Sequence, residues 1–122
     1  MQRDVLKDNE LKLLLLRYGL TFKKLLEENE LVKTEGNKVK PSLVTSLGQL
    51  SSATGLRKAT LSEIFRGNSN PRAATIYTIL NALDKSFTDF SKYFDNFKDK
   101  EVSDFYKEIE KAKKERKNKI KK

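Results

Sequence analysis

Apolar residues recur along most of this chain at the three-and-four spacing of amphipathic helices, and the breaks between stripes fall at glycine or proline. Leu11, Leu14, Leu15 and Tyr18 make the first stripe, and Gly19 is placed to end a helix over about 8–18. Thr21 can cap a second helix with a looser stripe of Phe22, Leu25, Leu26 and Leu31. In "LVKTEGNKVKP", Val32 and Thr34 precede Gly36-Asn37 and Val39 follows, a pattern suited to a small β-hairpin near 32–39 or an ordered loop. Pro41 suits the first turn of a helix facing inward through Leu43, Leu47, Leu50 and Thr54 as far as Gly55. A short polar helix over about 57–66 comes next, fenced by Gly55 and Gly67. Asn70 and Pro71 then start a helix with Ala73, Ile76, Ile79, Leu80 and Leu83 on one face. Phe87, Phe90, Phe94 and Phe97 continue at helical spacing, and a last helix begins at about 100 and runs until its charges fray it.

The expected fold is therefore an all-α bundle of five to seven helices, with either a small β-hairpin or an ordered loop near 32–39. A chain of 122 residues holds one hydrophobic core, so a single domain over 1–110 with a basic tail at 111–122 is expected.

Composition removes much of enzyme chemistry. The chain has neither cysteine nor histidine, which excludes disulfides, zinc fingers and Cys–His or Ser–His nucleophiles. Its acidic residues are scattered among lysines without a close constellation, so neither an enzyme nor a metal or other cofactor is expected. The apolar run Leu13 to Leu16, closed by Lys12 and Arg17, is too short for a signal sequence or a membrane span, and a cytoplasmic protein is expected. The net charge of +9 is concentrated: residues 111–122, "KAKKERKNKIKK", hold eight basic residues and one acid. Charge of this kind attracts polyanions without reading them.

The stretch "SSATGLRKATLSEIFRGNSNP" carries the sharpest signal. Two helices joined by a tight glycine turn form a helix-turn-helix, whose second helix can enter the DNA major groove. Ser51 is the small residue needed where the second helix crosses the first, Gly55 supplies the positive φ of the turn, and Leu56, Leu61 and Ile64 anchor the second helix to the core. With its neighbours, this segment resembles the Cro-like phage-repressor family, also called the xenobiotic-response-element family. The matching elements are "LSSATG", "LRKATLSEIFRG" and "NPRAATIYTILNAL", over about 46–83. Leu47 stands where the family often has glutamine, and Ser51 where it often has alanine. "RYGLTFKKLL" also looks like the family's entry, but its turn glycine would have to lie near Glu30 and none does. The resemblance thus implies a phage-repressor-like bundle with its helix-turn-helix core at 41–85, an elaboration inserted at 21–40, and aromatic-rich helices at 86–110.

Taking Leu61 as the inward direction at about 100° per residue, Ile64 and Phe65 lie within about 60° of it, and Ala59, Glu63 and Arg66 lie opposite. The base-reading candidates are Lys58, which can donate to guanine, Ala59, whose methyl can touch that of thymine, and Glu63, which can accept from a cytosine amine. Glu63 can instead pair with Arg66 along the helix surface. Ser46, Arg57, Thr60, Ser62, Arg66, Asn68 and Arg72 are candidates for phosphate contacts that set register. Seven of the eleven aromatic residues fall within 87–106, either as core or as the interface of a homodimer that spaces two recognition helices on double-stranded DNA. The expected function is a sequence-specific DNA-binding regulator, a repressor occupying its operator. The alternatives are the antitoxin of a toxin–antitoxin operon, gripping a protein toxin through 21–40 or the C-terminal segment, and a protein-interaction module without DNA binding, which Leu47 and Glu63 favour.

Overall fold

The computed structural model of the protein describes residues 8–36, 38 and 40–120. Six helices follow one another: α1 (Asp8–Thr34), α2 (Leu47–Thr54), α3 (Lys58–Phe65), α4 (Ala73–Ala82), α5 (Phe87–Phe94) and α6 (Asp99–Ile120), with no strand among the described residues. The all-α expectation holds, with corrections at several helix ends.

Helix α1 runs unbroken through Gly19, so the two helices expected on either side of that glycine are one. Thr21 caps nothing; it is buried in mid-helix, and its Oγ1 donates to the Arg17 carbonyl at 2.7 Å. The hairpin near 32–39 is also corrected, because Val32 and Thr34 belong to the last turn of α1. Gly36 does take a positive φ of 79°, but its amide donates to the Lys33 carbonyl as the end of a helix. Asn37 and Val39 lie outside the described residues. Pro41 sits in a turn rather than a first helical turn, and α2 starts six residues later at Leu47. Ser46 caps it, its Oγ accepting from the Gln49 amide, while Gln49 Oε1 accepts from the Thr45 amide and so satisfies donors at the helix entrance. Helix α4 likewise begins at Ala73, past the expected Asn70-Pro71 start, with Arg72 in the cap position.

One core joins α1 to α5. Phe22 and Leu25 of α1, Leu50 of α2, Leu61, Ile64 and Phe65 of α3, Ile79 and Leu80 of α4, Leu83, and Phe90 of α5 pack together. The Phe22 ring stacks on Phe65 and meets Phe90 at a tilt, and Phe90 continues through Phe94 to Tyr18. A smaller cluster, Leu16 and Leu20 of α1 with Val102 and Phe105 of α6, docks the last helix. Leu16 and Leu20 lie off the first predicted stripe, which is only half-buried.

Polar side chains fix the joints. Asn29 is buried, and its Nδ2 donates to both the Val44 and Leu83 carbonyls at 3.0 Å, pinning α1 to the approach of α2 and the end of α4. Arg17 donates to the Phe94 and Phe97 carbonyls at 3.0 and 2.7 Å, ties to Asp99, and so locks the α5–α6 corner. Glu28 accepts from the Tyr93 hydroxyl and pairs with Lys85 at 3.0 Å. Partial burial opposes ionisation of Glu28, but the hydrogen bonds from Tyr93 and Lys85 outweigh it and hold the carboxyl below its ordinary range. The same hydrogen bond to Glu28 pushes the Tyr93 hydroxyl up to about 12. Ser86 and Asp89 form a reciprocal capping box on α5, and the Ser86 bonds lower the Asp89 carboxyl.

Candidate nucleic-acid interface

Eight residues are too few for a helix to persist alone in water, where about 12–15 are marginal. Helix α3 exists because Leu61, Ile64 and Phe65 are buried against the rest of the bundle, each contributing roughly 1.5–3 kcal/mol on full burial. That burial also fixes which edge of α3 remains outside.

The turn ahead of it is built as the residues require. Gly55 adopts φ 79°, and its amide donates to the Ser51 carbonyl at 2.9 Å to close α2. A Cβ there would meet nothing within 4 Å, so backbone conformation alone selects glycine. Ser51 is half-buried at the crossing, and its hydroxyl donates to the Leu56 carbonyl. Thr54 Oγ1 donates to the Leu50 carbonyl and accepts from the Leu56 amide. Both hydroxyls therefore brace the first residue after the turn.

At the far end of α3, Gly67 has φ 72°, and a Cβ on it would lie 2.9 Å from the Leu16 backbone. Gly19 completes the close approach from the α1 side: its Cβ would lie 2.4 Å from the Phe65 carbonyl oxygen. Helix α1 thus crosses the end of α3 almost backbone to backbone. Lys12, about one turn before Leu16, reaches over this end, its Nζ donating to the Gly67 carbonyl at 3.1 Å and to Asn68 Oδ1 at 2.9 Å. A cation suits a helix C-terminus. Sequence patterning gives no hint of Lys12, because its partners lie more than fifty residues away.

None of the candidate residues is buried. Lys58, Ala59 and Glu63 are all exposed on α3, as are Arg57 and Thr60, while Ser62 and Arg66 are half-buried. Ser46 and Arg72 are exposed at the entrances to α2 and α4. Arg57 and Arg72 occupy cap positions without capping by their side chains, and neither they nor Lys58 enter an ion pair among the described residues. Glu63 accepts from Arg66 at 3.2 Å and from Asn68 Nδ2 at 3.1 Å, so the surface pair with Arg66 forms. Both bonds fall on Oε2. Asn68 is engaged at both ends of its amide, between Glu63 and Lys12.

Only the turn, the buried anchors and the exposed edge together make this a recognisable unit, and comparison with known families agrees. A family model described as a helix-turn-helix matches residues 45–90. The match is to the Cro/C1-type helix-turn-helices of the XRE family. The helix-turn-helix so defined contains α2, α3 and α4 whole, ends within α5 at Phe90, and leaves α1 and α6 outside. Helix-turn-helices of this family bind DNA, which makes the surface around α3 the candidate interface. No curated protein and no solved structure gives a significant match to the chain.

The aromatic segment divides. Phe90 is core and Phe94 is half-buried, but Phe87 is 56% exposed and stacks on Tyr77 of α4, itself 58% exposed, with centroids 6.5 Å apart. No described helix is long and apolar enough to cross a membrane.

Proposed function

We propose that the protein is a sequence-specific transcriptional regulator that represses by occupying its operator, with α3 as the recognition helix. The observation that carries this reading is the division of α3 into three buried anchors and an edge where Lys58, Ala59 and Glu63 stand exposed, with Arg57 exposed in the cap position just before them. Lys58 is free to donate to guanine O6 or N7, and the Ala59 methyl is accessible to thymine. Glu63 keeps Oε1 for a cytosine amine while Arg66 and Asn68 hold Oε2, which orients the carboxylate and offsets its repulsion by phosphate. Arg57, Thr60, Ser62, Arg66, Asn68 and Arg72, with Ser46 at the α2 entrance, surround these readers and supply the phosphate contacts that set register.

Repression from a palindromic operator calls for two copies, and exposed Phe87 of the aromatic segment, with Tyr77 of α4 stacked on it, offers an apolar surface for a twofold contact. Such a contact would set recognition helices about 34 Å apart on successive major-groove turns.

Selection of binding sites from a random duplex pool tests this. An enriched palindrome whose preference at one base pair disappears in Lys58→Ala is the expected result. An unenriched pool, with binding equal on every sequence, would overturn the regulator reading.

A further inference from the structure

The basic half of α6 is helical and shares an open groove with the end of α3, and this gives its charge an address. Val102, Phe105 and Ile109 seat the first half of α6 on α1, and Lys23 bridges to Glu108 at 3.6 Å and lies over the Phe105 ring. Past that point α6 lines a groove whose other side is the end of the recognition helix. This open groove of about 260 Å³ lies between Phe65 and Arg66 on one side and Phe105, Glu108, Ile109, Ala112, Lys113 and Arg116 of α6 on the other, with Lys23 of α1 also lining it, and Lys113 pairs with Glu110 at 3.4 Å. At 22 residues α6 is about 33 Å long, far more than its docking cluster uses. Residues 111–117 are exposed throughout, with five basic residues against Glu115. A helix this polar on every side has no core to join. Arg66, already a candidate phosphate contact, is shared by the groove and the interface.

We infer that the basic half of α6 is a second, rigid DNA contact, gripping the phosphate backbone on the flank of the site that α3 reads, through Lys113 and Arg116. The inference rests on the DNA-binding reading of α3. It differs from general attraction by a basic segment in having a side. Lys113 and Arg116 line the groove next to Arg66, whereas Lys107 and Lys114, a turn-matched pair seven residues apart, lie on another face of the same helix, about 160° or more from Arg116.

Two variants of equal charge separate face from charge: Lys113→Gln/Arg116→Gln and Lys107→Gln/Lys114→Gln. Each is measured by salt-dependent binding to the selected site, once in a duplex trimmed to the bases read by α3 and once with a further helical turn on each side. The groove-side variant should lose the affinity that wild type gains from the flanks, and its log–log salt slope should shrink by about 2, near 0.9 for each phosphate no longer neutralised. The opposite-face variant should retain both. Equal losses in the two variants, or no flank gain in wild type, would overturn the arm and leave the reading of α3 standing. Failure of wild type to bind even the trimmed site would overturn both. Because the chain has no cysteine, Ala112→Cys carrying an iron chelate gives an independent readout. Strand cleavage confined to the flanks supports the inference, and cleavage spread along the whole duplex overturns it.

Discussion

Gly19 lies against the carbonyl of Phe65 so closely that a Cβ would sit 2.4 Å from the oxygen, with the carbonyl carbon at 2.8 Å. The obstruction is backbone on both sides, so no side chain can swing away to relieve it. The position of the recognition helix relative to α1 is therefore set by the absence of a methyl group.

Gly19→Ala should destabilise the protein by about 2–3 kcal/mol, at the upper end of the overpacking range, despite alanine's better helix propensity. Gly67→Ala adds a left-handed φ to a clash with Leu16 and should cost at least as much, whereas Gly55→Ala, strained but unobstructed, should cost about 1–2 kcal/mol. Urea denaturation of the three variants checks the order. A Gly55 variant less stable than the other two would show that conformation, not crowding, dominates.

Asn29→Leu should cost about 2–4 kcal/mol, since it removes two buried hydrogen bonds and leaves the Val44 and Leu83 carbonyls without that donor. Equilibrium unfolding measures the loss, and Asn29→Asp should be no better, because a carboxylate cannot donate to either carbonyl. A neutral Asn29→Leu would mean that the two carbonyls find water.

These two residues mark the limit of what local sequence makes legible. Gly55 and Gly67 are readable as the fences of α3 because turn chemistry acts within a few residues. Gly19 reads as a helix stop because a glycine that permits positive φ and one that permits close approach are the same letter, and its partner lies in α3. Nothing near Asn29 in sequence announces partners in two other segments. The exposed edge of α3 is legible from periodicity, and the family match at 45–90 agrees with that stretch. Lys12 and the groove beside Arg66 are not, since each is made by helices that meet only in the folded chain.

Lys58→Ala should weaken binding to the selected site by about 1–3 kcal/mol and relax preference at one base pair. Arg72→Ala should weaken all sequences alike and reduce the salt slope by about 0.9. Titrations on the selected duplex and on single-base variants distinguish the two. A uniform loss for Lys58→Ala would move it from reader to positioner.

The Glu28–Tyr93 contact gives stability a pH dependence at both extremes. Glu28 has a folded pKa below its unfolded value, so its contribution is present above the unfolded pKa and disappears as pH falls through the folded one. Tyr93 has a folded pKa of about 12, above its unfolded value near 10, so its contribution is complete below pH 10 and lost as pH rises towards 12. Tyr93→Phe should therefore flatten the alkaline limb of a stability–pH curve, and Glu28→Gln should flatten the acid limb. Unchanged limbs in both variants would remove this pair as their cause.

Two glycines and three anchors bind α3 into the main core, whereas α6 is fastened to α1 by a separate cluster of Leu16, Leu20, Val102 and Phe105. Phe97 and Ile109 pack against that cluster, and Arg17 and Lys23 tie the same helix to α1 through Asp99 and Glu108. Helix α1 is thus a common mount for the helix that reads and the helix that carries the basic charge, and a displacement of α1 moves both together.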